Sequence, residues 1–443
     1  VTSTDSLQPT APAGTETWGA RHAHDPTVVR DDDGTYYMFS TDSVANSRDI
    51  PAGVHVRTSP DLLEWTYRGT ALDGVPAPAF EWSGANGLWA PEVVRWPAAA
   101  GEARWHLYYS ASTFGSSTSA IGLAVADSPA GPWTDRGLVV RTLAGRDLQN
   151  AIDAAVTFDR HGDPWLTYGS FFGGIHTLRL DAVTGFALHD GDLGTCIARR
   201  HADVDRAVEG AFLQYREADD QYVLFISYDS LFSTYNVRVA VADEITGPYR
   251  DANGTHLTDL DAAPHTAGTK VLGSYRFDGD TAWLAPGHNS ILTVPAPGAG
   301  TAEDQFMVHH VRFAEDPSEH MVQLRRVFTT AGGWPVVSPQ PYAGPERETL
   351  GRQEGIGGTW RVLRFAPEST EPVEALPVTV HDDGGVSSSG EPRRVRLTIA
   401  GSGLDAQLDA VVFGSWDWSR GRAALSFSGI DQHGVVYSGT QGA

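Results

Sequence analysis

One pattern recurs five times along the chain: a polar residue, an apolar strand, a turn, then an aromatic strand. It appears first at Asp25, followed by "PTVV", "RDDDG" and "TYYMFS". It returns at Glu92 ("PEVVRW", then "RWHLYYSAS"), at Asp153 ("NAIDAAVTFDRHGDPWLTYGS") and at Glu209 ("EGAFLQYREADDQYVLFISYD"). A looser copy runs from "GHNSILTV" at His288 through "QFMVHHVRF". Four of the units also close alike, with "GVHVRTSPDLLEWTYRG", "AIGLAVADSPAGPWTDRG", "VRVAVADEITGPYRD" and "VQLRRVFTTAGGWPVVS". Alternation of period two between Gly, Pro and Asp turns gives about four short strands per unit, which is the pattern of a propeller blade. A unit of this size cannot bury its own faces and has to stack on its neighbours, so the number of units sets the architecture. Five units predict an all-β chain built on a five-bladed β-propeller.

In such a ring the first strand of every unit lines the axis. Asp25, Glu92, Asp153, Glu209 and His288, far apart in sequence, are therefore predicted to converge there. A buried, unpaired carboxylate costs roughly several kcal/mol, so carboxylates gathered in this way need partners, a metal or a chemical task. Glycoside hydrolysis supplies a task, because one carboxylic acid protonates the leaving oxygen while a second carboxylate activates water. Calcium binding is the competing use.

A second domain follows. "GPERETLGRQEGIGG" reads as a linker, and "TWRVLRF", "LPVTVHDDGGV", "RRVRLTIAG", "DAVVFGSWDW", "AALSFSGI" and "GVVYSGTQ" read as six strands of a small C-terminal β-barrel or β-sandwich. The expected division is a lead segment over 1–20, a propeller over 21–345, a linker over 346–356 and an all-β domain over 357–443. Trp416 and Trp418 are expected in the core or an interface of that domain. With 48 Gly, 26 Pro and 13 Trp against 3 Met, the composition also favours turns and strands. A net charge of −23 repels nucleic acid and anionic membrane surfaces and excludes both as partners. No apolar run approaches the roughly 18 residues that span a bilayer. The Ser/Thr/Pro-rich lead "VTSTDSLQPTAPAG" suits an exported chain, so a secreted, extracellular monomer is expected. The single cysteine, Cys196, excludes an intrachain disulfide and a cysteine-built zinc site and is expected to be a small core residue.

Seven short stretches carry a resemblance. They are "HDP" at 24–26, "WAPEV" at 89–93, "YYSASTFGSSTSAIGLA" at 108–124, "NAID" at 150–153, "YGSFFGGI" at 168–175, "EGAF" at 209–212 and "GHNS" at 287–290. In this order, over roughly residues 20 to 345, the chain resembles family 43 glycoside hydrolases, and among them extracellular endo-α-1,5-L-arabinanases with an appended C-terminal β domain. The resemblance implies Asp25 as general base, Glu209 as general acid, and Asp153 as the residue that holds Glu209 and raises its pKa. It places Trp89, Phe114 and Phe171 along the cleft, with Asn150 and Ser170 making polar contacts to arabinosyl units. It gives His288 a metal, commonly calcium, held largely through water. The chain departs from the family pattern at Ala154, Gly210 and Ala211, where Pro often follows the carboxylates, and at Glu92, where Asp is common. His309 and His310 are expected to be packing residues. Asp25 and Glu209 open units two steps apart in a ring of five, which leaves room for a water and predicts inversion of configuration. The alternatives are an exo-acting α-L-arabinofuranosidase or β-xylosidase, and, in another class, a non-catalytic polysaccharide-binding propeller.

Overall fold

The computed structural model describes residues 15–43, 50–97, 104–278, 282–296, 303–350, 355–382 and 391–442. Most of the expected lead segment, and residues 351–354 of the expected linker, lie outside the described residues. The structure is almost entirely β. Four sheets have four antiparallel strands each, in sequence order. Sheet one is His24–Arg30, Tyr36–Thr41, His55–Ser59 and Thr66–Thr70. Sheet two is Trp89–Arg95, Trp105–Ala111, Ser119–Ala126 and Thr134–Thr142. Sheet three is Ala155–Phe158, Pro164–Tyr168, Ile175–Arg179 and Thr195–Ala198, and sheet four is Val208–Arg216, Gln221–Tyr228, Asn236–Ala242 and Thr269–Leu272. Sheet five runs outward from Trp283–Pro295 through Glu303–Phe313 and His320–Thr329 to Pro335–Val337.

The first strand of each sheet packs against the first strands of the sheets before and after it, and Trp283–Pro295 of sheet five returns to His24–Arg30 of sheet one, closing a ring. The strands are apolar on both faces because each sheet is covered twice. Tyr37, Phe39 and Val56 of sheet one bury against Val93, Leu107 and Tyr109 of sheet two. Ile121 and Leu123 meet Val156 and Leu166 between sheets two and three, and Ile175 and Ile197 meet Leu213 and Leu224 between three and four. Val28 and Met38 of sheet one meet Phe306, Val308 and Leu324 of sheet five, where the ring closes. Each such buried side chain contributes roughly 1.5–3 kcal/mol relative to exposure, so the inter-sheet layers are the principal core. Two main-chain bonds add to the seam between first and last sheets: His22 N–H donates to His320 O (3.0 Å) and Val322 N–H to Ala20 O (2.9 Å).

The C-terminal residues form a closed barrel of six strands: Gly358–Phe365, Leu376–Asp382, Arg393–Ala400, Ala406–Asp417, Arg422–Ile430 and Val436–Gln441. Trp360, Val362, Leu397, Leu408 and Phe427 fill it. The barrel is tied firmly to the ring. Val373–Glu374, between its first two strands, pairs in parallel with Tyr275–Arg276 and so extends sheet five. Phe328 stacks on Phe413 at 4.1 Å, and Asp409 accepts from the Gly332 N–H at 2.6 Å. From sheet four, Arg238 and Lys270 donate to the carbonyls of Pro367 and Ser369, both at 2.6 Å. The Trp418 indole N–H donates to Pro341 O and Arg347 lies over Trp416, which puts both tryptophans at this interface. Cys196 differs from its expectation: it is half-buried on the outer strand of sheet three rather than in a core, because that strand is only four residues long and sits at the sheet's edge.

Candidate active site

The inner strands begin irregularly, and the irregularity is what aims the site. Pairing slips between His24 and Thr27, between Trp89 and Glu92, between Glu209 and Phe212, and twice between Leu284 and Ser290. At these bulges, and just before the inner strand of sheet three, the backbone takes positive φ: Asp25 (53°), Ala90 (40°), Asp153 (62°), Gly210 (56°), Ala285 (50°) and His288 (47°). A bulge bends its strand and re-aims a side chain, and positive φ in a non-glycine residue costs about 1–3 kcal/mol. Gly210 has a second constraint, since a Cβ there would lie 3.0 Å from His288 Cα and Cγ. The absence of a side chain at Gly210 is thus what lets sheet five approach sheet four.

Asp25 is nearly enclosed. Its Oδ1 faces His24 Nδ1 at 2.8 Å and His288 Nδ1 at 3.1 Å, while Oδ2 accepts from the Thr41 hydroxyl at 2.6 Å. Thr41 in turn accepts from the Ala90 N–H at 2.8 Å, which commits its proton to Asp25. Burial alone would push the Asp25 carboxyl up, but the positive charge of His288 and the hydrogen bonds from His24 and His288 outweigh it and hold the group well below the usual carboxylate range. Oδ1 is served by two imidazoles and Oδ2 by one hydroxyl, so Oδ2 keeps a lone pair for an incoming proton.

The other two carboxyls behave oppositely. Glu209 accepts from Ser170 Oγ at 2.8 Å, and Tyr235 also bonds to it. Burial raises its pKa, the Asp25 charge adds to that, and the bonds from Ser170 and Tyr235 and the positive charge of His288 only partly offset it. Asp153 accepts from the Gly210 N–H at 3.0 Å, and its own N–H donates to Ser110 Oγ at 3.0 Å. Burial, then the charges of Glu209 and Asp25, push it up to about 7 against the pull of His288. Burial would neutralise His288, yet Asp25, Asp153 and Glu209 around it raise it to about 9. The pocket therefore holds one carboxylate ionised and keeps a proton on the neighbouring pair.

The sequence-predicted residues fall into groups. Asp25, Asp153, Glu209 and His288 come together. Ser170 and Asn150 are buried and spent on the protein: Ser170 bonds Glu209, and Asn150 accepts from Ser119 Oγ at 2.7 Å and donates to Ser170 O at 3.4 Å. Trp89 and Phe171 are half-buried beside this cluster, whereas Phe114 stands 82 % exposed on the loop after the second strand of sheet two. Glu92 is not the counterpart of Asp25. Ala90 takes that place at the bulge, and Glu92, two residues on, is a buried strut that bonds the Thr27 side chain and the Val156 N–H and is pushed up to about 8 by burial. His309 packs as expected, between Arg325 Nε (3.1 Å) and His310 O (3.0 Å). His310 does more than pack: it stacks on His24 at 3.6 Å and accepts from the Asp25 N–H at 3.4 Å. His24, Asp25 and His310 also cluster closely enough to hold an ion, although their facing atoms already serve one another. Thr41, Tyr235 and His310 were missed because nothing in their residue types separates them from the other buried residues of the sheets.

Comparison with known proteins bears on this geometry. A family model described as glycosyl hydrolases family 43 matches residues 19–335. The chain is 27% identical to an extracellular endo-α-(1→5)-L-arabinanase of Bacillus subtilis, over 94% of this chain and 92% of that one. It is 30% identical to an extracellular exo-α-(1→5)-L-arabinofuranosidase of Cellvibrio japonicus, over 71% of this chain and 86% of that one. Among solved structures, an endo-1,5-α-L-arabinanase of Thermotoga petrophila superposes with a TM-score of 0.78 at 25% identity, covering 97% of this chain and all of the other.

Proposed function

The chain belongs to glycosyl hydrolase family 43, and from that premise we propose that it cleaves α-1,5-L-arabinofuranosidic bonds inside arabinan, outside the cell, by single displacement with inversion. We read the ring of five sheets as a five-bladed β-propeller with the barrel appended. The observation that carries the mechanism is the division of protonation states: Asp25 held ionised by two histidines, Glu209 raised by burial and by the charge of Asp25, and Asp153 raised by burial and by the charges of Glu209 and Asp25. In this reading Asp25 Oδ2 takes a proton from the attacking water while Glu209 gives one to the bridging oxygen. Asp153 keeps Glu209 protonated by its charge and orients it through the Gly210 N–H beside it. Trp89 and Phe171 offer apolar faces to the furanose rings and Phe114 an outlying one. Endo action is favoured because the endo-acting relative aligns over nearly the whole chain, barrel included, and the exo-acting one over less.

The test is proton NMR of linear arabinan during the first turnovers. Inversion of the α-linkage gives the β-anomer before mutarotation, with short oligosaccharides and a rapid fall in viscosity. An α-anomer formed first sinks single displacement, and arabinose alone with slowly falling viscosity moves the reading to exo action.

The donor chemistry at His288 fits a calcium ion held mainly through water. Its Nδ1 faces Asp25, which leaves Nε2 as the ligand atom, in the carboxylate–histidine–metal order that orients metal-bound imidazoles. Next to it, the buried Asn289 amide has no hydrogen-bond partner among the described residues. Three carboxyls favour positive charge at this point, and a bound ion would supply it in place of a proton. A ligand held only by the folded state at a hundred times its Kd stabilises by about 2.7 kcal/mol. Chelation is thus expected to lower Tm by several degrees, with recovery on adding calcium. An unchanged Tm after chelation overturns the site.

A further inference from the structure

Arg312, on the second strand of sheet five, lies outside the acid–base set yet reaches towards it. Its Nε donates to Leu231 O and its Nη1 to Pro317 O, both at 2.8 Å, and Phe232 lies against the guanidinium. The remaining nitrogen, Nη2, meets His24 Nε2 at 3.4 Å in a buried setting. A guanidinium has donors only, so His24 Nε2 has to accept, and the imidazole proton is forced onto Nδ1. That is the atom 2.8 Å from Asp25 Oδ1. The other rings do not substitute for it. His310 accepts from the Asp25 N–H through Nδ1 and has no proton there to offer the carboxylate. His320 meets His24 edge-on at 5.2 Å, and its Nε2 is engaged with Ser43.

Resting on the reading of Asp25 as the base, we infer that Arg312 is a positioning residue for hydrolysis: it fixes the His24 tautomer, so that His24 donates to Asp25 Oδ1 and aims Oδ2 at the water. Without Arg312, His24 is free to carry its proton on Nε2. Nδ1 would then turn a lone pair towards the carboxylate, and Asp25 would swing away from it. Two carbonyl anchors and one ring contact hold the guanidinium, so this control is built into the loops of sheets four and five.

Arg312→Met is expected to lower kcat roughly 10- to 100-fold, the scale for misaiming a reacting group, with KM changed less than about twofold on that view. The deciding comparison uses His24→Asn, whose Nδ2 stands where Nδ1 was and donates whatever Arg312 does. In that background Arg312→Met should cost little further activity. Equal losses in both backgrounds, or a rise in KM at constant kcat, overturn the inference. Arg312→Lys keeps a donor and should recover most of kcat; a loss as large as that of Met also overturns it. A readout independent of catalysis is ¹⁵N NMR of His24, assigned by its absence from His24→Asn. The Nδ1-protonated pattern is expected in the parent and a shift towards Nε2 in Arg312→Met. An Nε2-protonated parent refutes the tautomer control even if Asp25 is the base. A correct tautomer in an enzyme whose Asp25→Asn variant keeps full activity would instead refute the base.

Discussion

Glu209→Ala is expected to reduce turnover on arabinan by roughly 10²- to 10⁴-fold while leaving oligosaccharide binding measurable by calorimetry. The carboxyl is buried on an inner strand and raised above its ordinary range by that burial and by the charge of Asp25, which is the state a proton donor requires. An alanine removes the donor without leaving a buried charge unpaired, so the fold should survive and the loss should appear in kcat. The pH profile carries the same assignment. Asp25 is ionised across the working range, so activity is set by the protonated fraction of the Glu209–Asp153 pair and falls as pH rises through about 7, where Asp153 titrates. Asp153→Asn removes a negative neighbour, lets Glu209 ionise more easily and should move the alkaline limb to lower pH. Wild-type turnover in Glu209→Ala, or an unmoved limb in Asp153→Asn, contradicts these roles.

Asp25→Asn should cost a comparable 10²- to 10⁴-fold in kcat, and it should also lower Tm. Asparagine keeps the shape and still accepts from His24 and His288, but it cannot take a proton from water. The stability loss follows from the depressed pKa. A carboxyl held below its unfolded value contributes stability that is present above about pH 3.9 and lost only as pH falls through the folded value. At neutral pH the parent therefore has this contribution in full and the variant lacks it. Measuring Tm of both proteins against pH should show the gap narrowing in strong acid. A constant gap would mean that the loss comes from packing rather than charge.

Much of this was legible in the sequence because the repeat is strong. Period-two alternation and regular turns indicate four strands per unit, and ring closure then brings Asp25, Asp153, Glu209 and His288 to one place whatever their separation along the chain. What could not be read is finer than a strand. Aligning carboxylate with carboxylate put Glu92 in register with Asp25, but register at these strand starts is set by bulges, and the bulge puts Ala90 there instead. Ser170 looked like a sugar contact and proves to be a donor to Glu209, because its neighbour Phe171 turns the chain at positive φ. Thr41 orients Asp25 only because Ala90, 49 residues on, lends it an N–H. Such relays join side chains to main-chain groups of other sheets, and single-residue patterns carry no trace of them.

The seam where sheet one meets sheet five has a consequence for the timing of activity. Sheet five comes from strands made more than two hundred residues after those of sheet one, and Asp25 depends on partners from both: Thr41 on one side, His288 and His310 on the other. During synthesis the early sheets have no functional base to offer, because the groups that hold it ionised have yet to emerge. Catalytic competence thus arrives late and all at once, with the closing of the circle. A chain halted before His288 would be silent however well its first four sheets had folded, and in the finished protein any loosening of that one junction should extinguish hydrolysis before the remaining sheets come apart.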